Sequence, residues 1–498
     1  MLTLLRAIAT TGGASGISML LGLLTNKIIA VMLGPSGVGL LASFRAVQDV
    51  VTGLGSLGGT AAQVQALSSV TGEDRRRRVI ACIWLTLTGM AVFSTGLLVA
   101  APAIAEHFFR DPSPEIVTAV RCMVVSFSVS LGAAIALGFV NVSGAIGWMA
   151  LAQIAASVAS LVAAWPLATL AGQGHPLAYV GMIATPVAVQ LAIAVIMTSR
   201  LGWMPQIAAA FRQRPARADI MHFLVYFAAN VGGGLITSSC MLILRATIIE
   251  TSDQATNGLF QASWTLTQQN LTLLMASFGT YLLPTLSATH DIEERRRFLD
   301  ETIPVIIMLT VPMAAVGLLF MPLVLRLLYS AAFLPAIELL RWMLLANLFS
   351  ALVAVFVVLL LARGRPLASA ATEVMWHVGF TATCVAVLTG VVDPGRLGLG
   401  RLEALGAAFF LFHGLRLACL LVFCRAKVSY VPARRVWLVG ALGFSLLLIA
   451  AWIGWSAHDV NWAISVPAAI MICASPLLLL NRARFRRLLG LVRAYVAR

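Results

Sequence analysis

Three basic side chains, Lys27, Arg45 and Arg245, sit where the surrounding sequence is apolar enough to belong in a bilayer. An ionised group facing lipid there costs from about 2.5 to more than 10 kcal/mol, so each is expected to face a cavity or a partner. Asp49 follows Arg45 by four residues and shares its helix face. Gathered together, three cations and one carboxylate form a cationic patch suited to a phosphate or another anion, with Asp49 as an orienting partner. The competing expectation is that Lys27 and Arg245 snorkel to the headgroups while Arg45 pairs with Asp49. Gln48, Gln261, Gln268 and Gln269 are candidates for lining such a cavity. Hydrogen bonds between helices would use them equally well.

A second set is Glu373, His377, His413 and Arg416. Glu373 and His377 are four apart, and the depth of Arg416 in its span allows a buried Glu373–Arg416 pair. That pair reads either as an ion-coupling relay or as a structural lock between two helices. No catalytic constellation stands out: the chain has no Walker A, HExxH or GxSxG pattern. It is therefore expected not to be an enzyme and to need no metal or cofactor. Its seven cysteines fall inside apolar stretches without CxxC spacing, which predicts buried thiols and no disulfide framework.

What positions these residues follows from composition. Of 498 residues, 60% are hydrophobic and 11% charged, and the mean hydropathy is +0.95. A soluble chain carries about 25% charge; this one has more apolar surface than a water-soluble fold of its size could bury. The net charge of +15 invites a nucleic-acid partner, but the positions of the charges argue against one.

With about 20 residues needed per crossing, fourteen spans are expected: 12–33, 37–60, 79–101, 116–138, 147–170, 177–199, 222–249, 258–284, 303–328, 337–362, 367–391, 403–424, 436–455 and 462–480. Turns after even-numbered spans, with the tail, hold 23 of the 34 Lys and Arg residues. The opposite turns hold Arg110, Arg326, Arg396 and Arg401. The positive-inside rule then places both termini in the cytoplasm of a multi-pass protein.

Spans one and two also overlay spans seven and eight. Lys27 precedes Gly39-Leu40-Leu41 by twelve residues and Arg245 precedes Gly258-Leu259-Phe260 by thirteen; AlaSerPheArgAlaValGln (42–48) then faces AlaSerTrpThrLeuThrGln (262–268). The implied unit is six spans, giving lobes at 1–200 and 219–425 joined by a cytoplasmic linker, 201–218. Two further spans, 436–480, and a basic tail, 481–498, lie outside the repeat. Transporters built from such repeats place their substrate between the halves.

Asn26-Lys27 with LGPSGVGLLASFRAV (33–47), ASFGTYLLPTLS (276–287) and SAAFLPAIELLRWML (330–344) with LAxxxxEV (367–374) carry a family resemblance. Over about residues 10–425 the chain resembles the Wzx-type polysaccharide translocases of bacterial inner membranes, the O-antigen and enterobacterial-common-antigen flippases of the MATE-like (MOP) superfamily. The resemblance implies an all-α polytopic protein with two six-helix lobes in a V. It implies alternating access that moves undecaprenyl-pyrophosphate-linked oligosaccharide from the inner to the outer leaflet. It also implies a polysaccharide polymerase and a chain-length regulator as partners. By position, Lys27, Arg45 and Arg245 fall where the family-like stretches carry basic residues. Many relatives stop at twelve spans, so the last two set this chain apart. Two rival activities remain: a MATE-like drug or metabolite antiporter, for which an acidic cavity is expected, and a membrane polymerase or ligase, for which a large external loop is expected.

Overall fold

The computed structural model of the chain describes residues 2–56, 59–68, 70–289, 291–455 and 460–479. The basic tail expected at 481–498 lies outside the described residues, as do the side chains of 225–233 and 270–281. Among the described residues every regular element is helical. Lipid dictates this, because a helix satisfies its backbone polar groups within one segment. In chain order the helices are α1 (Leu2–Gly55), α2 (Gly59–Ser68), α3 (Gly72–Ile104), α4 (Pro114–Val142), α5 (Ile146–Gly172), α6 (Leu177–Arg200), α7 (Met204–Ala210) and α8 (Arg217–Thr251). There follow α9 (Gln254–Ala288), α10 (Ile292–Leu319), α11 (Met321–Leu328), α12 (Ile337–Ala362), α13 (Pro366–Leu388), α14 (Arg401–Val428), α15 (Arg434–Trp455) and α16 (Trp462–Leu479).

Among the described residues, each of the fourteen expected spans falls on a helical segment. Eleven stretches among the described residues are long and apolar enough to cross a membrane. That number takes the two segments of Gly13–Gly55 as one and leaves out α9 and the shorter α16. The first two spans are separated inside α1 at Gly34, whose φ of 65° and ψ of −169° break the helix. Only glycine adopts such a φ freely, and the residue before Pro35 is also kept out of the helical region.

Contacts gather the chain into two units. The first comprises residues 1–262, 327–335 and 373–401. In it α1 and α6 pack on α5, and α4 packs on α6. The buried residues of α5 are Ala150, Ala152, Ala156, Ala164, Ala168 and Ala171, while Trp148, Leu151, Val158, Val162 and Trp165 are exposed. Small side chains inside and large apolar ones outside suit a helix that must approach its neighbours closely in lipid.

The segment read as a linker, 201–218, is folded. Its helix α7 packs on α3, and Trp203, Ala209 and Ala210 share a core with Leu67, Val79, Ile80 and Phe139. Trp203 Nε1 donates to Ser143 Oγ at 2.8 Å. The arginine run in the first turns of α3 is also partly engaged. Arg78 donates at 2.7 Å to the Ala66 carbonyl, one that the end of α2 leaves over, and Arg75 donates to the Val70 carbonyl at 2.8 Å.

The second unit comprises residues 263–326, 336–372 and 402–498. Here α10 is central, packed by α12, α15 and α16. Asp291 caps it, accepting from Glu294 N at 2.9 Å, with Glu293 and Glu294 in the first turn where the helix dipole favours acids. The turn between α14 and α15 is tied to α10 by Asp300, whose Oδ1 accepts from the Tyr430 hydroxyl at 2.9 Å and from Ala433 N at 3.1 Å.

Burial, followed by the adjacent Asp300 carboxylate, pushes the Tyr430 hydroxyl well above its ordinary pKa. Between the unfolded value of about 10 and the folded one, only the unfolded chain releases this proton. Stability is therefore present below pH ~10 and falls above it. Tyr430→Phe is expected to cost about 1 kcal/mol near neutral pH and to flatten the alkaline fall. Thermal unfolding in detergent from pH 7 to 11 checks both effects.

Candidate functional site

The first unit collects the basic residues singled out by sequence. Arg245, on α8, is only 6% exposed. Its Nη1 donates to Asn257 Oδ1 at 2.9 Å and its Nη2 to Gln261 Oε1, while the guanidinium carbon stands 5.4 Å from the centre of the Phe260 ring. All three partners lie on the first two turns of α9. Asp253 starts that helix, its Oδ1 accepting from Thr256 N at 2.7 Å. The Thr256 amide and hydroxyl hold the Asp253 carboxyl below the usual carboxylate range. Its capping contribution is therefore present above the unfolded pKa of about 3.9 and is lost as pH falls through the lower folded value. Asp253→Ala is expected to cost about 1 kcal/mol at pH 7, and unfolding curves at pH 7 and pH 3 should show the difference shrinking in acid.

Lys27, half-buried on the first part of α1, donates Nζ to the Tyr329 carbonyl. Tyr329 is 2% exposed, its ring 5.0 Å from that of Phe333. Arg45 is half-buried and Asp49 exposed on the second part of α1. Arg45 lies within Coulombic reach of Asp49 and Tyr329, and Asp49 within reach of both Arg45 and Arg245. Lys27, Arg45, Asp49 and Arg245 are thus linked through direct bonds and charge around Tyr329 and the start of α9. A snorkelling arrangement would instead leave the Arg245 guanidinium at the surface, and it is buried.

The other residues divide. Gln48 turns to α4, accepting from Ser126 Oγ at 2.8 Å and donating to Ser130 Oγ at 3.0 Å; it joins α1 to α4. Gln268 and Gln269 are half-buried further along α9, in the second unit. Glu373 Oε1 is 3.3 Å from His377 Nε2 on its own helix. Arg416 and His413 are buried on α14 in the second unit; His413 Nδ1 lies 3.0 Å from the Phe409 carbonyl.

Three features escaped the sequence reading. Asn257, fully buried, sits four residues after Asp253 and reads as one more polar residue of a turn. Tyr329 contributes a backbone carbonyl, which leaves no mark in side-chain chemistry. The third is an ion pair in the second unit, Arg341 Nη2 to Glu403 Oε1 at 2.9 Å, with Trp342 Nε1 also donating to Glu403 Oε1 at 3.3 Å.

The start of α9 meets α1 through the two glycines matched in the repeat. A Cβ at Gly39 would run into the Gln254 carbonyl and lie 2.9 Å from Gly258 N. One at Gly258 would run into the Pro35 carbonyl and lie 3.1 Å from Gly39 N. Each glycine faces the carbonyl four residues before the other, so the contact is reciprocal. Gly258→Ala is expected to force these backbones apart, since neither obstacle is a flexible side chain end. It should lower the unfolding midpoint by several degrees, as about 1–3 kcal/mol of overpacking would.

In chemical terms this site holds three cations against one carboxylate within reach of the two arginines, and the buried cation is bonded to neutral amides. Such an arrangement can take an anion carrying about two charges and hold it through a guanidinium fork. Among the described residues, no three His, Cys, Asp or Glu side chains gather to hold a metal ion.

No curated protein sequence matches the chain. Among solved structures it is similar to the lipid II flippase MurJ in an inward closed conformation, at TM-score 0.67 and 15% identity, covering 92% of this chain and 96% of that one. It is also similar to an inward-facing multidrug resistance MATE transporter, at TM-score 0.63 and 16% identity over 81% and 95%. A third is a MOP-superfamily transporter from Pyrococcus furiosus described as having a binding pocket of reverse polarity, at TM-score 0.61 and 15% identity over 85% and 96%. The model of a family described as polysaccharide biosynthesis protein matches residues 28–338. The chain is a multi-pass membrane protein that belongs to the polysaccharide biosynthesis protein family and carries the fold of MOP-superfamily transporters.

Proposed function

We propose that this protein is a flippase that moves undecaprenyl-pyrophosphate-linked oligosaccharide units from the inner to the outer leaflet of a bacterial inner membrane. The observation that carries the reading is the buried Arg245 guanidinium, bonded to Asn257 and Gln261 and accompanied by Arg45 and Lys27. A pyrophosphate diester carries about two negative charges, which complement three cations and one carboxylate. A charged, hydrated head cannot cross about 30 Å of hydrocarbon unaided. Here the basic side chains replace its water while the polyprenyl tail stays in lipid. Lys27, Arg45 and Arg245 capture the pyrophosphate, Asp49 orients the arginines, and alternating access releases the unit on the other side. Both termini lie in the cytoplasm, and the lobes 1–200 and 219–425 are the moving parts. The protein itself makes and breaks no covalent bond. A polymerase that joins the exported units and a regulator of chain length are its functional partners.

The test is deletion of the gene, with lipid-linked oligosaccharide and surface polysaccharide measured together. Single unpolymerised units are expected to accumulate on the cytoplasmic leaflet, and the wild-type gene is expected to relieve this. Unchanged surface glycan would sink the reading and turn attention to drug antiport, for which uptake into vesicles of purified protein is the direct assay.

A further inference from the structure

The seam between α1 and the start of α9 closes tightly. At Gly39 and Gly258 the positions a Cβ would take are filled by a hydrogen facing a carbonyl, of Gln254 and Pro35 respectively. Contacts of this Cα–H···O kind are individually weak. Among the described residues, Asn257 makes strong bonds across the seam. The Asn257 Nδ2 donates to the Gly39 carbonyl at 2.8 Å and to Ser43 Oγ at 3.0 Å, and Ser43 Oγ donates in turn to the Gly39 carbonyl at 3.1 Å. The other end of the same amide, Oδ1, accepts from Arg245. An ionised donor at the oxygen polarises the amide and strengthens what its nitrogen donates.

We propose that Asn257 is a positioning residue that ties the Arg245 guanidinium to the α1–α9 seam, so that an anion taking Arg245 loosens the seam from within. The inference rests on the anion-capture reading of Arg245. A phosphate oxygen is a stronger acceptor for a guanidinium than an amide oxygen is. Once the fork turns to phosphate, Asn257 Oδ1 loses its donor inside a dry contact, and a buried polar group left unmatched destabilises the arrangement that buries it. The bound anion and the opened seam then favour each other, as linkage requires. Because the seam lies at the arginine-poor end of these spans, the released side is the one toward which cargo travels.

Hydrogen exchange on the full-length protein in lipid nanodiscs reads the seam directly, in segments 35–43 and 254–261. Arg245→Ala and Asn257→Ala should each speed exchange there about tenfold, and the double variant should be no faster than either alone. Ser43→Ala, which keeps the Arg245–Asn257 bond, should give a smaller increase and guards against misfolding of the other variants. Inorganic pyrophosphate should speed exchange in the wild type and leave Asn257→Ala unchanged, although both bind it in a thermal-shift assay. A merely structural asparagine would not abolish that response. Additive effects in the double variant, or an equal response to pyrophosphate without Asn257, would overturn the proposal. Non-additive exchange with pyrophosphate binding neither protein would keep the tie and overturn the flippase reading instead.

Discussion

Replacing Arg245 with alanine is expected to cut export of the lipid-linked unit by about a hundredfold while the protein still reaches the membrane. Removing one member of a buried, hydrogen-bonded charge arrangement costs about 2–5 kcal/mol, and about 2.7 kcal/mol corresponds to two decades. Arg245 is the most deeply enclosed of the three cations, 6% exposed against half-buried Lys27 and Arg45. It also holds two amides with one fork. Arg245→Lys keeps the charge and loses the fork, so it should recover only part of the rate. Lys27→Ala should cost less, because its ammonium holds a backbone carbonyl and offers a point charge where Arg245 offers a planar fork. Rescue of surface polysaccharide in a deletion strain, at matched protein levels, gives the comparison. Full rescue by Arg245→Ala would remove this residue from the capture step.

The second large effect is on stability, and it lies away from the cationic site. Arg341 and Glu403 pair with side chains 10% and 11% exposed. Glu403→Leu leaves a buried guanidinium without its carboxylate, which is expected to cost about 3–5 kcal/mol. The double variant Arg341→Met with Glu403→Leu removes both charges and should recover most of that loss, since apolar replacements of buried pairs are often neutral or better. Unfolding midpoints in one detergent for both single variants and the double complete the cycle. A Glu403→Leu protein as stable as the wild type would show that the pair is hydrated.

The helices were readable because a membrane imposes one ruler on every crossing, and eleven of the described stretches meet it by length and hydropathy alone. Gly34-Pro35 was readable for a local reason, since the pair cannot continue a helix. Arg245 announced itself through cost, as any ion in an apolar run does. Its pairing did not. Gln261 stood out only as one of several glutamines, Asn257 is an ordinary residue near a turn, and the value of both comes from where α8 returns beside them. Arg341 and Glu403 are 62 residues apart, and each reads alone as a flank of its span. The short α7 was missed because seven residues are too few for periodicity, although Trp203 buried against Phe139, ring centres 5.0 Å apart, shows that the segment carries its own anchor. Gln48 shows the reverse: its neighbours made it a cavity candidate, while Ser126 and Ser130, about 80 residues on, decide its direction.

The face of α5 built from alanine has a kinetic consequence. Alanine has no rotamers to freeze, so a helix packed there loses almost no side-chain entropy on docking and recovers almost none on leaving. It also has no long side chain to catch in a neighbour's groove. Interlocked leucines or phenylalanines must hop rotamers together before two helices can shift, which turns sliding into a series of clicks. Along the alanine positions of α5, a shift of α1 or α6 is therefore expected to need fewer rotamer changes than it would against interlocked leucines. Bulky substitutions along this face, such as Ala156→Leu, would act as brakes.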